Sequence, residues 1–540
     1  MTKSRGLEIC QRGNIKAVLV GSVASLGSQY VIGLEALHCS GKLLASEQAQ
    51  ASSKEQVLDA VAKAASRIRE RLGESLTSIR KFDNPLKEEA TTCSVEALKA
   101  YNAARRAEWT GGGKELDVIP LFERAIELDQ QFGAAYHGLA AVYSRLGESE
   151  RAADYMSKAY NLRDRLSESE RLAITSEYHR IVTGELDKEM QTIEFWRQES
   201  PRSGAPGNHV LFNYSTYFGD FEKAIEVANE ALTFTPGTLA RAYLGLNRVE
   251  EAKSVLDQTV ARKFDNPDLR GVFYEVAALQ GDSTGIQSLR RWNADQPAEN
   301  NISDFVALDL MQHGRLKEAK KLEESQLQAL QRSGFKEIAA SYPAMLALTE
   351  AELGDRREAR RYAASSAKLS GSRTTVPLVA IALALGGESK KVQITIEELN
   401  RRYPSDTKVQ NVYIPVAEAA LELTQGDSEK AIELLEPTRR YEFGRHWRFL
   451  PSYVRGLAYL RGHKGKEAIE ELQKIIAHRG IAPLAPEWAL AHVRLGRAYI
   501  TSGNIAGAKA AYQDFLTFWK DADPDIPVLK QAKAEYAKLQ

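Results

Sequence analysis

The sequence has no long apolar run, little cysteine and no excess of either charge, and each shortage excludes a class of protein. Its longest apolar stretch, Val376 to Leu385, is about ten residues and holds Pro377, whereas a bilayer span needs roughly twenty. No membrane insertion is expected. The three cysteines, Cys10, Cys39 and Cys93, stand far apart without CxxC spacing, which argues against structural zinc and thioredoxin-like chemistry. Lys plus Arg number 72 and Asp plus Glu 72, giving a formal net charge of zero. A general nucleic-acid binder would carry a basic surplus, so none is expected as a partner. The opening MTKSRGLEICQRGNIK is polar and lacks the apolar core of a secretory leader. The expected compartment is therefore the cytoplasm, with the thiols reduced.

What is present is a 540-residue chain with 43% hydrophobic and 27% charged residues, ordinary for a folded protein and too long for one core. Residues 16–51 carry three runs of strand character, KAVLVGSVASLG, SQYVIGLEALHC and KLLASEQAQA, joined by short Gly- and Ser-containing turns that predict antiparallel hairpins. Val57, Val61, Ala64, Ala65, Ile68 and Leu72 then recur at helical spacing and predict a helix covering one sheet face. Three strands and one helix make a small core. Residues 1–85 are expected to be an incomplete α/β domain, the remainder of a larger module.

From Thr91 a period replaces the strand signal. A turn residue is followed five positions later by a small or aliphatic one, as at Gly147/Ala152, Gly219/Ala224, Asn247/Ala252, Gly314/Ala319, Gly354/Ala359, Gly426/Ala431, His463/Ala468 and Gly503/Ala508. Weaker instances sit at Gly113/Val118, Gly184/Glu189, Gly281/Ile286 and Gly387/Val392. The recurrence, about every 35 residues, is close to the 34 of a tetratricopeptide helix–turn–helix unit. Small residues let two helices approach, neighbouring aromatics such as Tyr499 and Tyr512 fill the groove beside them, and the turn glycine supplies a left-handed cap. A single helical pair cannot bury its apolar face, so pairs must stack. The expected fold is mainly α: a tetratricopeptide-repeat superhelical solenoid of about twelve repeats over residues 91–522, with the small α/β segment in front. Pro236 is expected to end a helix. Residues 523–540 are expected to form a capping helix, with Asp525 as its N-cap and Pro527 in its first turn.

Catalytic motifs are missing from the sequence. There is no HRD-type loop, DFG or GxGxxG, and no HExxH or GxSxG. TGGGKE at Thr110–Glu115 lacks the spacing of a phosphate-binding loop and reads as a helix–helix turn. DADPD, with Asp521, Asp523 and Asp525, lacks the glycine and closing glutamate of a calcium loop. No enzyme activity, cofactor or metal is expected.

LEICQR, AVLVGSVASLGSQYVIGLEAL, RERLGESLTSIRKFDNPLKEEATTCSVEALKAY, PLFERAIELDQQFGAAYHGLA and FLTFWKDADPDIPVLKQAKAEYAKL together resemble the accessory region that follows the catalytic domain in large acidobacterial-type bacterial serine/threonine kinases. The resemblance implies a sensory or docking module, behind a kinase domain and often a membrane helix. Kinase activity does not carry over, because the catalytic motifs are absent. The expected function is a non-catalytic scaffold that grips a protein or peptide in its concave groove. The alternative is a detached module that acts with a separate, upstream-encoded kinase.

The densest basic-aromatic cluster lies in RRYEFGRHWRF and supplies Arg439, Arg440, Arg445, Trp447 and Arg448 as candidate contacts, since Arg and Trp are enriched in binding hot spots. Against this stands the plainer reading that Trp447 and Phe449 pack the next helix. His137, Tyr453 and Arg497 are candidates by their phase on groove-lining helices. Cys10 and Cys39 each end a short element and could approach within the roughly 4.4–6.8 Å that a disulfide needs. The resemblance implies an oxidising location, but without a leader the expectation remains two reduced thiols.

Overall fold

The structure is a computed structural model and describes residues 3, 6–7, 10, 17–27, 29–76, 79, 92, 94–109, 115–200, 203–230, 235–261, 266–298 and 301–540. Cys93, Gly113 and all of the expected boundary between 85 and 91 lie outside the described residues. The chain gathers into two compact units. One comprises Met1–Trp109, Leu116–Ala140 and Tyr155–Thr175, the other Thr110–Glu115, Ala141–Asp154 and Ser176–Gln540.

In the first unit, β1 (Ala17–Leu26), β2 (Gln29–His38) and β3 (Leu43–Ala51) form an antiparallel meander in the order β1-β2-β3. Ile32 and Ala36 of β2, with Ala45 and Ala51 of β3, bury against Ala60 and Ile68 of α1 (Val57–Arg71). This is the covered sheet face that the helical spacing from Val57 to Leu72 predicts. The opposite face of β2 carries Leu37, which is also buried, and Leu7 lies beside the Gly41 turn. Cys10 and Cys39 are joined as a disulfide, with their Cα atoms 5.3 Å apart. That corrects the expectation of two reduced thiols: the turn after β2 brings Cys39 to the buried Cys10.

In the second unit the repeat turns are visible in the backbone. Gly147, Gly184, Gly219, Asn247, Gly281, Gly314, Gly354, Gly387, Gly426, His463 and Gly503 all have positive φ, between 55° and 100°. Each closes the first helix of a hairpin, and the left-handed region is what glycine enters without a Cβ penalty. Asn247 and His463 hold it as non-glycine residues, at 58° and 55°. Gly496 shows the close crossing: a Cβ there would meet the Tyr512 ring at 2.8 Å. Pro236 opens a helix, Pro236–Gly245, where its missing N–H costs nothing, and the end of the helix before it lies outside the described residues. Asp525 does not cap the last helix, Pro527–Ala537, whose N-cap is Ile526 without a side-chain bond.

The first helices of the hairpins do not line an open trough. Leu346 and Leu353 of α2 (Lys336–Leu353) share one core with Tyr453 of α3 (Leu450–Arg461) and with Leu490 and Val493 of α4 (Pro486–Thr501). Arg494 of α4 donates to the carbonyl of Glu352 on α2 at 3.2 Å. Helices some 140 positions apart in sequence therefore meet within the unit.

Candidate functional site

Three helices of the second unit widen into π-turns, at His179–Thr183, Tyr214–Phe218 and Val409–Tyr413. Two of them are last turns, closed by Gly184 and Gly219, and the final carbonyls of a helix have no intrahelical partner, so they accept from other donors. Two of these turns are used by side chains far along the chain. Arg373 donates to the carbonyls of Ile181 and Val182, and to Asp406 at 2.9 Å. Trp447 Nε1 donates to the Tyr217 carbonyl at 2.9 Å.

The same pattern repeats at successive hairpins. Glu148 and Glu337 cap one another's helices: Glu148 accepts from the backbone of Glu337 and Ile338 at 3.0 and 3.3 Å, while Glu337 accepts from Ser149 and Glu150 at 3.0 and 2.8 Å. Burial pushes the Glu148 carboxyl up from its ordinary value, against these backbone N–H groups. The Thr407 backbone donates to the Gly184 carbonyl at 3.0 Å. Asn247 takes the Gly480 N–H at 3.1 Å and donates to the Ala477 carbonyl at 2.7 Å. Gln312 donates to the carbonyls of Pro483 and Ala485, both at 2.9 Å, and its own carbonyl accepts from Trp519 Nε1 at 2.8 Å. Asp523, from the DADPD segment, accepts the Lys317 N–H at 2.8 Å and donates its own N–H to the Gly314 carbonyl. Its work is to cap an earlier helix, Leu316–Arg332.

The basic-aromatic loop belongs to this system. Buried Arg455 sets its posture, donating to Glu442, Glu471, Thr438 and the Leu435 carbonyl at 2.7–3.1 Å. Arg445 then reaches Glu275 at 2.6 Å and the Gly480 carbonyl at 3.0 Å. Arg448 and Phe449 both take positive φ, 49° and 66°, a strained step for two consecutive side-chain-bearing residues. That step turns the Arg448 guanidinium toward Glu487, 3.2 Å away, and Met345. Next to this pair, burial and then the Glu487 charge hold the Glu352 carboxyl well above the usual range.

Of the eight candidate contacts, the structure takes Trp447 and Tyr453 out of the surface, at 3% and 0% exposure. The plainer reading of Trp447 and Phe449 as packing residues describes what they do. Tyr453 accepts from Arg494 at 3.2 Å, inside the unit rather than on a groove wall. Arg445 and Arg448 are half-buried and ion-paired. Arg439 and Arg440 remain at the surface, bonded to Glu436 at 2.9 Å and Asp187 at 2.7 Å, with Arg440 also over the Phe218 ring. Arg497 lies apart on the last hairpin, 2.9 Å from Glu535 of the terminal helix. His137 is half-buried in the first unit. Sequence reasoning missed Glu148, Glu337, Gln312, Arg373 and Asp406. Two of them carry a signal that could have been read: the Glu148-Ser149 step, an acid and a hydroxyl opening a helix, and Asp406, which accepts the N–H groups of Lys408 and Val409 at 2.8 and 3.2 Å.

Helical hairpins closed by a left-handed turn residue therefore recur through the second unit. The tetratricopeptide repeat family matches residues 121–153. No curated protein matches the chain. Among solved structures, the chain is similar to the P58(IPK) TPR domain, at 13% identity over 83% of this chain and 99% of that one, TM-score 0.21. It is similar to the APC/C hetero-tetramer Cut9-Hcn1 at 12% identity, over 88% and 89%, TM-score 0.34. For yeast Tom70 the identity is 13%, over 82% and 96%, with TM-score 0.27. Among the described residues no helix is long and apolar enough to cross a membrane.

Proposed function

We propose that the chain is a non-catalytic scaffold for protein partners in bacterial signalling. The observation that carries this is the interlocked second unit. Its first helices spend their faces on one another, and its turns are tied to distant loops, so what it offers is a rigid outer surface of loops and second helices. Rigid elements presenting loops are where docking residues are most effective. Arg439 and Arg440 are the proposed contact pair. Glu436 and Asp187 are exposed, and exposed ion pairs contribute only about 0–1 kcal/mol, so acidic groups of an incoming protein can displace them, while buried Glu471, 3.3 Å from Arg439, keeps Arg455 and Lys474 as partners. Arg497 and His137 are proposed as separate outlying contacts.

The test has two arms. Proteins captured by the purified chain should be lost with Arg439→Gln/Arg440→Gln, while the thermal midpoint stays put, because Arg455 and Lys474 still hold Glu471. Equal capture by both forms rejects the arginine pair. Labelled ATP offered with generic kinase substrates should give no transfer, and stoichiometric transfer abolished by deleting residues 1–90 would overturn the non-catalytic reading.

A second reading is a docking module that acts with a separate kinase, and the Cys10–Cys39 disulfide favours it. Disulfides persist in oxidising compartments, which supports the extracytoplasmic placement implied by the kinase resemblance over the cytoplasm. Thiol counting on the denatured, unreduced protein separates the two: one free thiol supports this placement, three support the cytoplasm.

A further inference from the structure

The two edges of the small sheet are treated differently. At β3, Arg71 of α1 donates to the Ser46 carbonyl at 3.2 Å and pairs with Glu47 at 2.6 Å, so charge and a side-chain donor occupy that edge. Such devices keep edge strands from pairing with other chains. β1 has none of them. Its ten residues, AVLVGSVASL, include no charge and no proline, and they pair with β2 from Ala17↔His38 to Leu26↔Gln29 without a bulge. Among the described residues nothing pairs with its outer edge.

Parity decides which groups face outward. A two-residue turn makes the flanking Leu26–Gln29 a hydrogen-bonded pair, so even-numbered residues of β1 bond to β2. The odd-numbered residues, Leu19, Gly21 and Val23 among them, aim their N–H and C=O groups at the open edge. Their side chains share the face that α1 covers over β2 and β3. Over β1 that face is bare, with Leu19 62% and Val23 59% exposed.

We propose that this edge is a dimerisation surface, occupied by β1 of a second copy in antiparallel register about Gly21. In that register Leu19 stands opposite Val23 of the second copy, Val23 opposite Leu19, and Gly21 opposite Gly21. Every outward N–H and C=O in the overlap then finds a partner. The four apolar side chains form one patch between the two α1 helices, and no charge is brought near another. A one-residue slip pairs outward groups with inward ones, so the strand is self-complementary in this register. A sheet of three strands becomes one of six.

Light scattering on the full chain at tens of micromolar should give the mass of two chains. Leu19→Lys/Val23→Lys, at exposed positions, should give one chain with an unchanged circular dichroism spectrum. Gln48→Lys, on the guarded edge, should leave the dimer intact. A second measurement does not depend on the lysine variant folding: Gly21→Cys in a Cys93→Ser background should form a covalent dimer on a non-reducing gel, since the register places this residue against itself. A monomeric wild type, a dimer that survives both lysines, or no Gly21→Cys cross-link overturns the proposal. So does a monomer that instead takes an extended strand from another protein at this edge.

Discussion

Trp447 shows how one side chain ties distant parts of the second unit. Its indole N–H satisfies a carbonyl in the last helical turn, Tyr214–Phe218, which has no helical partner, in a place closed to water. A buried acceptor that loses its donor costs about 1–3 kcal/mol, and the smaller ring leaves a void as well. Trp447→Phe should therefore lower stability by about 2–3 kcal/mol in urea titrations, a loss an exposed contact residue would not show. Glu189 is the residue whose protonation should be visible. It has no exposed surface and accepts from Arg180 and Asn213 at 3.2 and 3.1 Å, while its second oxygen has no partner. Burial dominates over the Arg180 charge and pushes the carboxyl up to about 7 from an ordinary 4.5. A folded-state pKa above the unfolded one means that the native state binds the extra proton between these values. The resulting stability is fully present below pH 4.5, falls as pH rises, and is gone above about 7, a change of about 3 kcal/mol. Glu189→Gln cannot titrate. The difference in unfolding free energy between the two proteins should shift by that amount across the window, and a pH-independent difference would refute the assignment.

At the scale of elements, the turns were legible and the ties between them were not. Gly147, Gly184 and Gly426 announce left-handed caps because no other residue is comfortable there, and their spacing alone gives the hairpin register. Asn247 and His463 were readable only because the period had already placed a turn at each. The three strands were equally legible, from alternation and short turns. The reach of Trp447 to a carbonyl 230 residues away has no signature, since the carbonyls left open at a helix end belong to the backbone rather than to a residue type. Arg445 and Arg448 read as surface groups because arginines usually are, and only the fold supplies Glu275 and Glu487. The Glu148–Glu337 exchange illustrates the consequence for stability. Two helix starts share two carboxylates, so removing one leaves Ser149 and Glu150 N–H groups unsatisfied at a partly buried site. Glu337→Ala should cost about 1–2 kcal/mol, in the range of a lost N-cap, and Glu337→Gln should recover part of it. Equal stability of all three proteins would show that water satisfies both helix starts.

For the second unit as a whole, the ties change how it should come apart. In an ordinary repeat stack each hairpin touches only its neighbours, so stability is nearly a sum of local terms and truncation removes only the last repeats. Here bonds such as Gln312–Pro483 and Asn247–Gly480 join residues 171 and 233 positions apart. Deleting residues 435–540 would remove Trp447, Gly480, the Pro483 and Ala485 carbonyls, Trp519 and Asp523 together. The helices Ala205–Asn213, Pro236–Gly245, Ser303–Gln312 and Leu316–Arg332 would lose the groups that hold their ends, although all four lie more than a hundred residues from the cut. The Glu148–Glu337 caps and the Arg373–Asp406 tie would survive. Hydrogen exchange on the truncated chain should therefore show lost protection across 205–332, with the amides of 149–161 changed less. Protection unchanged at 205–332, and lost only within one repeat of the cut, would show that the unit behaves as independent neighbours and that the distant bonds contribute little. The opposite outcome would make the second unit one cooperative body. It would also account for a loop rich in Arg and Trp serving its own fold, since a repeat array with interlocked turns needs donors that reach far and bind carbonyls and carboxylates in fixed geometry.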